Sequence, residues 1–170
     1  MIPKIKKILY ATDLSKNSAY AFFYAVDMAK NNGAEIVILH SIEPPRHITY
    51  VGVELEDMIK EAEKQKREAE FNEIKKRVEE FCKKMDAHAS FSCLALVSKT
   101  LVPVGNPVEE ILEAANEENC DVIVLGTHGK GFLKQTFIGS VAIKVLERAR
   151  KPVFVIPLPS EKTSIDWDSL

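Results

Sequence analysis

The sequence predicts an α/β protein in which helices cover both faces of a parallel β-sheet. Short runs of β-branched and aliphatic residues alternate along the chain with segments whose apolar residues recur at helical spacing. The strand-like runs are apolar throughout, which is typical of strands that are buried on both faces. Hydrophobic residues make up 46% of the 170 residues, enough to build a core.

Five strands are predicted, and four of them are well bounded, at residues 8–11, 36–39, 122–125 and 153–156. The third strand lies within residues 94–104, and its start is ambiguous. Strands that alternate with helices are joined by right-handed crossovers and form a parallel sheet. We therefore predict a single-domain, doubly wound, five-stranded Rossmann-like sheet with strand order 3-2-1-4-5.

Two helical segments precede the third strand. Residues 15–31 form the first, and Gly33 follows it where a C-terminal cap belongs. Residues 53–86 form a long segment of interspersed acids and bases, typical of a solvated helical face. We expect a break near residues 63–70, because the apolar stripe loses its phase there.

Two further helices follow the third and fourth strands. Asn106 and Pro107 form a strong helix start, because Asn caps and Pro suits the first turn. Glu109 completes an arrangement that resembles a capping box. The last helix is predicted at residues 140–150.

The charge balance and the ends of the chain narrow the class of protein. The formal net charge is −2, without the basic excess that general nucleic-acid binding leaves. No run of about 18 apolar residues is present, and the apolar run at the start is too short for a signal peptide. We expect a cytoplasmic protein without membrane association, with a nucleotide-binding domain at residues 1–158 and a polar tail at 159–170.

The cysteines and histidines do not suggest a metal site. Cys82, Cys93 and Cys120 are scattered, and an odd, unpaired set suits a reducing compartment, where each thiol acts as a small apolar side chain. The four histidines do not cluster with them at ligand spacing, so zinc is not expected. His40 ends an apolar strand and is expected to be buried and hydrogen-bonded.

Glycines concentrate after the fourth strand, in Gly-Thr-His-Gly-Lys-Gly at 126–131 and Gly-Ser-Val at 139–141. A phosphate needs backbone N–H groups that it can approach closely, and glycine leaves them uncovered. Ser140 opens a helix, whose free N–H groups and dipole favour an anion. The window therefore predicts a phosphate-binding loop, although its spacing fits neither a Walker loop nor a dinucleotide fingerprint.

Ligands of such sheets lie beyond the carboxyl ends of the strands, at the switch in strand order. Thr12 and Asp13 follow the first strand, and Ser41 follows the second. Taken alone, Asp13 could equally cap the first helix, since Asp before Ser15 is an ordinary helix start. Together with the glycine-rich loop, a ligand role is favoured. Thr127, between two glycines of the loop, is expected to contact the ligand.

Two further residues of the loop have open roles. Lys130 either neutralises a phosphate or extends into solvent, and both roles are equally compatible with the sequence. A catalytic role for His128 is the minority interpretation, because a histidine in a loop more often faces solvent.

The spacing Gly-x2-Gly-x9-Gly-Ser, at Gly126, Gly129, Gly139 and Ser140, resembles the ATP-binding branch of the universal stress protein family. The resemblance covers about residues 4–158 and includes the first strand with its acidic residue. It also includes the second strand, Val-Gly-Asn-Pro at 104–107 and Lys-Pro-Val-Phe-Val-Ile at 151–156.

The resemblance implies that the four motif residues contact the phosphates and ribose of ATP or another adenine nucleotide. The predicted nucleotide-binding set also includes their neighbours Ala11, Thr12, Thr127, Lys130 and Val141. Asp13 matches an acidic residue near the ribose or near a Mg²⁺ or Mn²⁺ ion carried by the phosphates. Ser41 matches a residue whose backbone binds adenine, although an apolar residue is commoner there.

The expected function is that of an ATP-binding stress-response or signalling module. A slow ATPase using the same site is one alternative, at most a weak enzyme, because the loop holds no obvious general base or arginine finger. A dimeric interaction module without nucleotide is another. The resemblance also implies a homodimer through residues 153–156, while the protein partner stays unspecified.

Overall fold

A computed structural model describes residues 2–44, 53–86, 92–127 and 138–157. Strands and helices alternate through these residues. In chain order they are β1 (Lys7–Ala11), α1 (Lys16–Asn32), β2 (Glu35–Leu39), α2 (Val53–Asp86), β3 (Val97–Leu101), α3 (Pro107–Glu117), β4 (Val122–Gly126), α4 (Ser140–Arg148) and β5 (Val153–Ile156).

All strands are parallel and lie in the order β3-β2-β1-β4-β5, which confirms the predicted doubly wound sheet. β1 is central, and its Tyr10 lies opposite Ile38 of β2 and Val124 of β4. α1 and α2 cover one face of the sheet, while α3 and α4 cover the other. From β1 the chain proceeds to β2 and β3 on one side and then continues with β4 and β5 on the other side of β1. A crevice is therefore expected at the carboxyl ends of β1 and β4.

The core consists of two layers, one on each face of the sheet. Side chains of a strand alternate between faces, so Ile8 and Tyr10 pack beneath α1 and α2 while Leu9 packs beneath α3 and α4. Ile8 and Leu9 are fully buried. This burial on both faces explains why β1 is apolar throughout.

Helix α1 is bounded by residues that satisfy its terminal backbone groups. Ser15 is the N-cap, and its hydroxyl accepts a hydrogen bond from the Ser18 N–H at 3.2 Å. Gly33 ends the helix in the left-handed conformation, with φ 60° and ψ 42°, and its N–H donates to the Ala29 carbonyl. The predicted glycine cap is thus confirmed.

Replacing Gly33 by Ala is expected to lower the free energy of unfolding by about 1 kcal/mol, because an L side chain is strained in this conformation. A Cβ at this position would meet no atom within 4 Å, so the loss isolates backbone strain from steric overlap. Gly33→Asn is the matched control and should lose less, since Asn tolerates the left-handed region. Urea unfolding of both variants measures the difference, and equal losses would contradict this explanation.

Helix α2 runs unbroken for 34 residues, so the predicted break near residues 63–70 is wrong. The second half is held against the sheet by buried side chains such as Ile74 and Phe81. The first half is mostly exposed, and its composition of Glu, Lys, Gln and Ala favours a helix without core contacts. The apolar stripe therefore stops where the helix leaves the core, while the helix itself continues.

The ambiguous third strand begins at Val97, after a 3-10 turn at Leu94–Leu96. Its pairing with β2 shifts by one residue between Ile36 and Val37, which lie opposite Val97 and Lys99. Such a bulge leaves an extra residue in one strand. Irregular pairing of this kind explains why the sequence pattern gave no clear start.

The expectation of three separate thiols is wrong, because Cys82 and Cys93 form a disulfide with their Cα atoms 5.1 Å apart. It joins the last turns of α2 to the turn before β3, and both cysteines are buried. Scattered spacing gave no indication of this contact, which depends on the chain turning back after α2. Cys120 is a free, buried thiol, and burial raises its pKa to about 11.

The disulfide removes one argument for a cytoplasmic location, which stays a prediction. In the described ranges, no helix is both long and apolar enough to cross a membrane.

Candidate functional site

The carboxyl ends of β1, β2 and β4 bring several of the predicted site residues to one edge of the sheet. β1 ends at Ala11 and β4 at Gly126, and these two strands are directly paired. On the other side of β1, the Thr12 N–H donates to the Leu39 carbonyl at 2.9 Å. Thr12 therefore follows the central strand directly, between the ends of its two neighbours.

Asp13 organises the turn between β1 and α1. Its Oδ1 accepts hydrogen bonds from the Ser15 N–H at 3.0 Å and from the Ser15 hydroxyl at 2.6 Å. Ser15, and not Asp13, is the N-cap of α1. Asp13 therefore orients the capping residue. This local role is compatible with a ligand role for the side chain.

Two backbone features complete this turn. Leu14 has a positive φ of 63°, which is unusual for a residue with a branched side chain. The Leu14 N–H donates to the Thr12 hydroxyl at 3.1 Å, and that hydroxyl lies 2.9 Å from the Ser18 hydroxyl. These contacts have no signature in the sequence, and they fix the path of the chain between Thr12 and α1.

His40, directly after β2, contacts both this turn and α2. It is buried and hydrogen-bonded, as expected, with 7% exposure. Its Nδ1 lies 2.8 Å from the Thr12 carbonyl oxygen. A carbonyl only accepts hydrogen bonds, so Nδ1 carries the proton. Its Nε2 lies 3.7 Å from a carboxylate oxygen of Glu70 on α2, a partner that the sequence did not reveal.

Ser41 has its backbone directed toward β1. The N–H groups of His40 and Ile42 donate to the carbonyls of Leu101 and Pro103, on the β3 side. Backbone groups of successive residues in an extended chain point to opposite sides, so those of Ser41 point the other way. The Ser41 hydroxyl donates to the Gly105 carbonyl at 2.9 Å. The side chain is thus engaged, and the backbone faces the site.

The glycine-rich loop is closed at its base by two hydrogen bonds. The Thr127 N–H donates to the Ile156 carbonyl of β5 at 2.9 Å, and the Gly139 N–H donates to the Thr127 carbonyl at 2.6 Å. Thr127 and Gly139, which flank the glycine-rich loop in the sequence, therefore lie next to each other beside the end of β4. His128, Gly129 and Lys130 lie outside the described residues, and their predicted roles stay predictions.

The base of the loop leads directly into α4. Gly139 is the N-cap, and the first intrahelical hydrogen bond runs from the Ile143 N–H to the Gly139 carbonyl at 3.1 Å. The N–H groups of Ser140, Val141 and Ala142 precede that bond, so they have no acceptor within the helix. The positive end of the α4 dipole adds to their attraction for an anion.

The described residues offer no cluster of three or more His, Cys, Asp or Glu side chains for a metal ion. What this edge of the sheet does offer is a set of backbone donors at α4, small residues at the ends of β1 and β4, and one carboxylate at Asp13. Such an arrangement suits a phosphate-containing ligand whose charge is met by backbone groups.

Comparison with known proteins agrees with this architecture. The sequence profile of the Universal stress protein family matches residues 4–157. Universal stress protein MJ0577 of Methanocaldococcus jannaschii is 31% identical over 159 residues, which cover 89% of this chain and 94% of that protein. Universal stress protein YxiE of Bacillus subtilis is 31% identical over 157 residues, which cover 88% of this chain and 97% of that protein.

Solved structures share the fold over nearly their whole length. The structure of MJ0577 superposes with a TM-score of 0.68 at 28% identity, covering 94% of this chain and 100% of that one. Universal stress protein UspA from Lactobacillus plantarum superposes with a TM-score of 0.70 at 21% identity, covering 91% and 99%. On the profile match and the sequence identities, the chain belongs to the universal stress protein family.

Proposed function

We propose that this universal stress protein binds ATP, or another adenine nucleotide, at the carboxyl edge of the sheet and acts as a nucleotide-dependent stress-response or signalling module. The observation that carries the proposal is the position of the α4 N-terminus. The Gly139 N–H donates a hydrogen bond to the carbonyl of Thr127 at the end of β4, so the backbone N–H donors at the start of α4 lie at the switch in strand order.

The phosphates would contact the start of α4. The N–H groups of Ser140 and Val141, with the Ser140 hydroxyl, are the donors there, and Gly126 and Gly139 allow a close approach. Gly129 belongs to the same sequence motif, and it completes the proposed phosphate loop together with its neighbour Lys130. A Mg²⁺ or Mn²⁺ ion would enter with the phosphates and neutralise part of their charge.

The nucleoside would lie across the ends of β1 and β2. Ala11 and Thr12 offer a small and a polar residue at the end of β1, and Asp13 offers a carboxylate that can accept from ribose hydroxyls. The backbone of Ser41, directed toward β1, supplies a donor and an acceptor for the edge of the base. This assignment gives each element at the switch point a separate part of the nucleotide.

Two structures of the same fold contain adenine nucleotides. One is a universal stress protein in complex with cAMP, at 19% identity and a TM-score of 0.59. The other is a universal stress protein from Archaeoglobus fulgidus in complex with dAMP, at 20% identity and a TM-score of 0.54. Such distant likeness speaks for the fold alone, and the assignment to this chain rests on its own motif and geometry.

Titration calorimetry of the purified chain with ATP and magnesium tests the proposal. We expect saturable binding at one site per chain, competition by ADP and AMP, and weaker binding of GTP, because Ser41 contacts the edge of the base. Small molecules released on denaturation and identified by mass spectrometry give an independent measurement. Lack of both binding heat and co-purified nucleotide would reject the assignment.

We also propose a homodimer through β5. Among the described residues this strand pairs only with β4 and lies last in the sheet, and strands at the edge of a sheet readily pair with another strand. Phe154 on β5 is 50% exposed. Ile143 and Leu146 on α4 are 41% and 46% exposed. Together they supply the apolar area that a paired edge would bury.

Phe154→Lys is expected to shift the protein from dimer to monomer, because a second copy would bring two like charges together at the paired edge. Light scattering at micromolar concentration measures the mass. Ile2→Lys replaces an apolar residue that is 87% exposed and lies outside the strands and helices, and it should leave the mass unchanged. A wild-type mass equal to one chain would exclude the dimer.

A further inference from the structure

A second cavity lies on the α1–α2 face of the sheet and is distinct from the crevice at α4. Its volume is about 520 Å³, within the range of small-molecule sites. The cavity is open to solvent along one side, so it is a cleft in the surface and not a void in the core. The cavity shares Thr12 with the proposed nucleotide site, but Gly126, Thr127 and Ser140 are not among the residues that line it.

The interior of the cavity is mainly apolar. Tyr10 and Ile38 lie beneath it on the sheet, and Phe22, Ile74 and Phe81 lie behind its walls on α1 and α2. Each of these side chains is at most 8% exposed. The rings of Phe22 and Phe81 meet with their centroids 4.9 Å apart, so the wall between the helices is aromatic. An apolar ligand body would bury its surface here without losing hydrogen bonds to water.

The hydroxyl groups at one end are already engaged with the protein. The Tyr10 hydroxyl donates to the Ser18 carbonyl at 2.6 Å, and the hydroxyls of Thr12 and Ser18 lie 2.9 Å apart. Burial raises the pKa of Tyr10 well above its usual value, so the phenol stays neutral. This end therefore favours an uncharged part of a ligand.

The mouth carries four charged side chains whose charges sum to zero, two from acids and two from bases. They belong to α2 and are Glu73, Lys76, Arg77 and Glu80. Since net charge does not select the ligand, geometry must. Arg77 is the side chain held in place: its Nε donates to Glu73 at 2.6 Å, and one Nη donates to the Leu14 carbonyl.

A guanidinium fixed in this way keeps further N–H donors in a planar fork, which matches a carboxylate. Arg77 in turn holds the pKa of the Glu73 carboxyl below its usual value, so that acid is already ionised and paired. A cationic ligand head would have to separate this pair, whereas an anionic head can add to Arg77.

We propose that this cavity is a binding site for a small amphipathic carboxylate, whose apolar body lies between α1 and α2 and whose carboxylate contacts Arg77. The site would accept a chain or ring of moderate size. It does not depend on nucleotide binding at α4.

Three probes with one body and different heads test the proposal: decanoate, decanol and decylammonium, each below its micelle concentration. Binding to the full chain is followed by calorimetry and by the methyl NMR signals of Ile38 and Ile74. We expect both signals to shift, and decanoate to bind about tenfold more tightly than the other two, as a charge-assisted contact adds roughly this factor.

Variants of the protein distinguish the contribution of the ligand's apolar body from that of its charged head. Arg77→Gln should remove the preference for decanoate and leave decanol binding unchanged, while Arg67→Gln should change neither, because Arg67 contacts the Val102 carbonyl away from the cavity. Ala19→Phe should fill the cavity and abolish binding of all three probes. Should that variant fail to fold by circular dichroism, Val78→Phe on the opposite wall takes its place.

Several results would overturn the proposal. They are unshifted Ile38 and Ile74 methyl signals, equal affinity for decanoate and decylammonium, an unchanged preference in Arg77→Gln, or full binding in a folded, cavity-filled variant.

Discussion

Replacing Gly139 by Asp is expected to weaken ATP binding on the order of 100-fold. The new carboxylate would lie at the N-cap of α4, where the proposed site holds a phosphate. Two like charges about 5 Å apart repel by roughly 3 kcal/mol at an effective dielectric constant near 20. Gly139 has φ −63° and ψ 154°, which any residue can adopt, so the substitution introduces no backbone strain.

The same variant should not lose stability, which separates this prediction from a general folding defect. Asp is a good N-cap, so the free energy of unfolding should stay equal or rise by a few tenths of a kcal/mol. Gly139→Asn is the matched control, with the same shape and capping ability but no charge. Calorimetry with ATP and thermal unfolding together decide: affinities of the Asp and Asn variants that both equal the wild-type affinity would place the phosphates elsewhere.

Loss of the Cys82–Cys93 disulfide is expected to lower the free energy of unfolding by about 3 kcal/mol. The two cysteines are 11 residues apart, and closing a loop of that length restricts the unfolded chain by roughly this amount. A reductant should destabilise the wild type, and the double variant Cys82→Ala/Cys93→Ala should be insensitive to it. Urea unfolding with and without dithiothreitol measures both.

Cys120→Ala provides the control for the disulfide experiment. Cys120 is buried and free, so this variant should keep the full response to reductant even if the substitution itself costs some stability. Wild-type unfolding that is the same in oxidised and reduced samples would contradict the role of the disulfide. So would a thiol count by mass spectrometry that finds Cys82 and Cys93 free under oxidising conditions.

The strands and most helix ends were predictable because local chemistry decides them. Gly33 ends α1 in the conformation that its lack of a side chain favours, and Asn106 caps α3 by accepting from the Val108 N–H at 3.0 Å. Glu109, expected to complete a capping box, instead pairs with Arg148 of α4 at 2.6 Å. That contact joins residues 39 apart in sequence, which local patterns do not reveal.

The same distinction holds for the candidate site. The glycine spacing indicated Gly126, Gly139 and Ser140, because a phosphate loop has a local signature. The contact of His40 with the Thr12 carbonyl joins residues 28 apart in sequence, and its contact with Glu70 depends on how α2 packs against the sheet. The long, charged α2 was expected to be only a solvated face. The spacing of its apolar residues did not indicate that Glu70 would contact His40. The division of the chain at residue 158 stays a prediction.

Hydrogen bonds of Thr127 connect the base of the phosphate loop with β5. Its carbonyl accepts from Gly139 at the start of α4, and its N–H donates to Ile156 at the end of β5. If both proposals hold, a nucleotide that displaces this residue also displaces the edge where two copies meet. Thermodynamic reciprocity then fixes the outcome: the factor by which ATP changes the dimer dissociation constant equals the factor by which dimerisation changes the affinity for ATP.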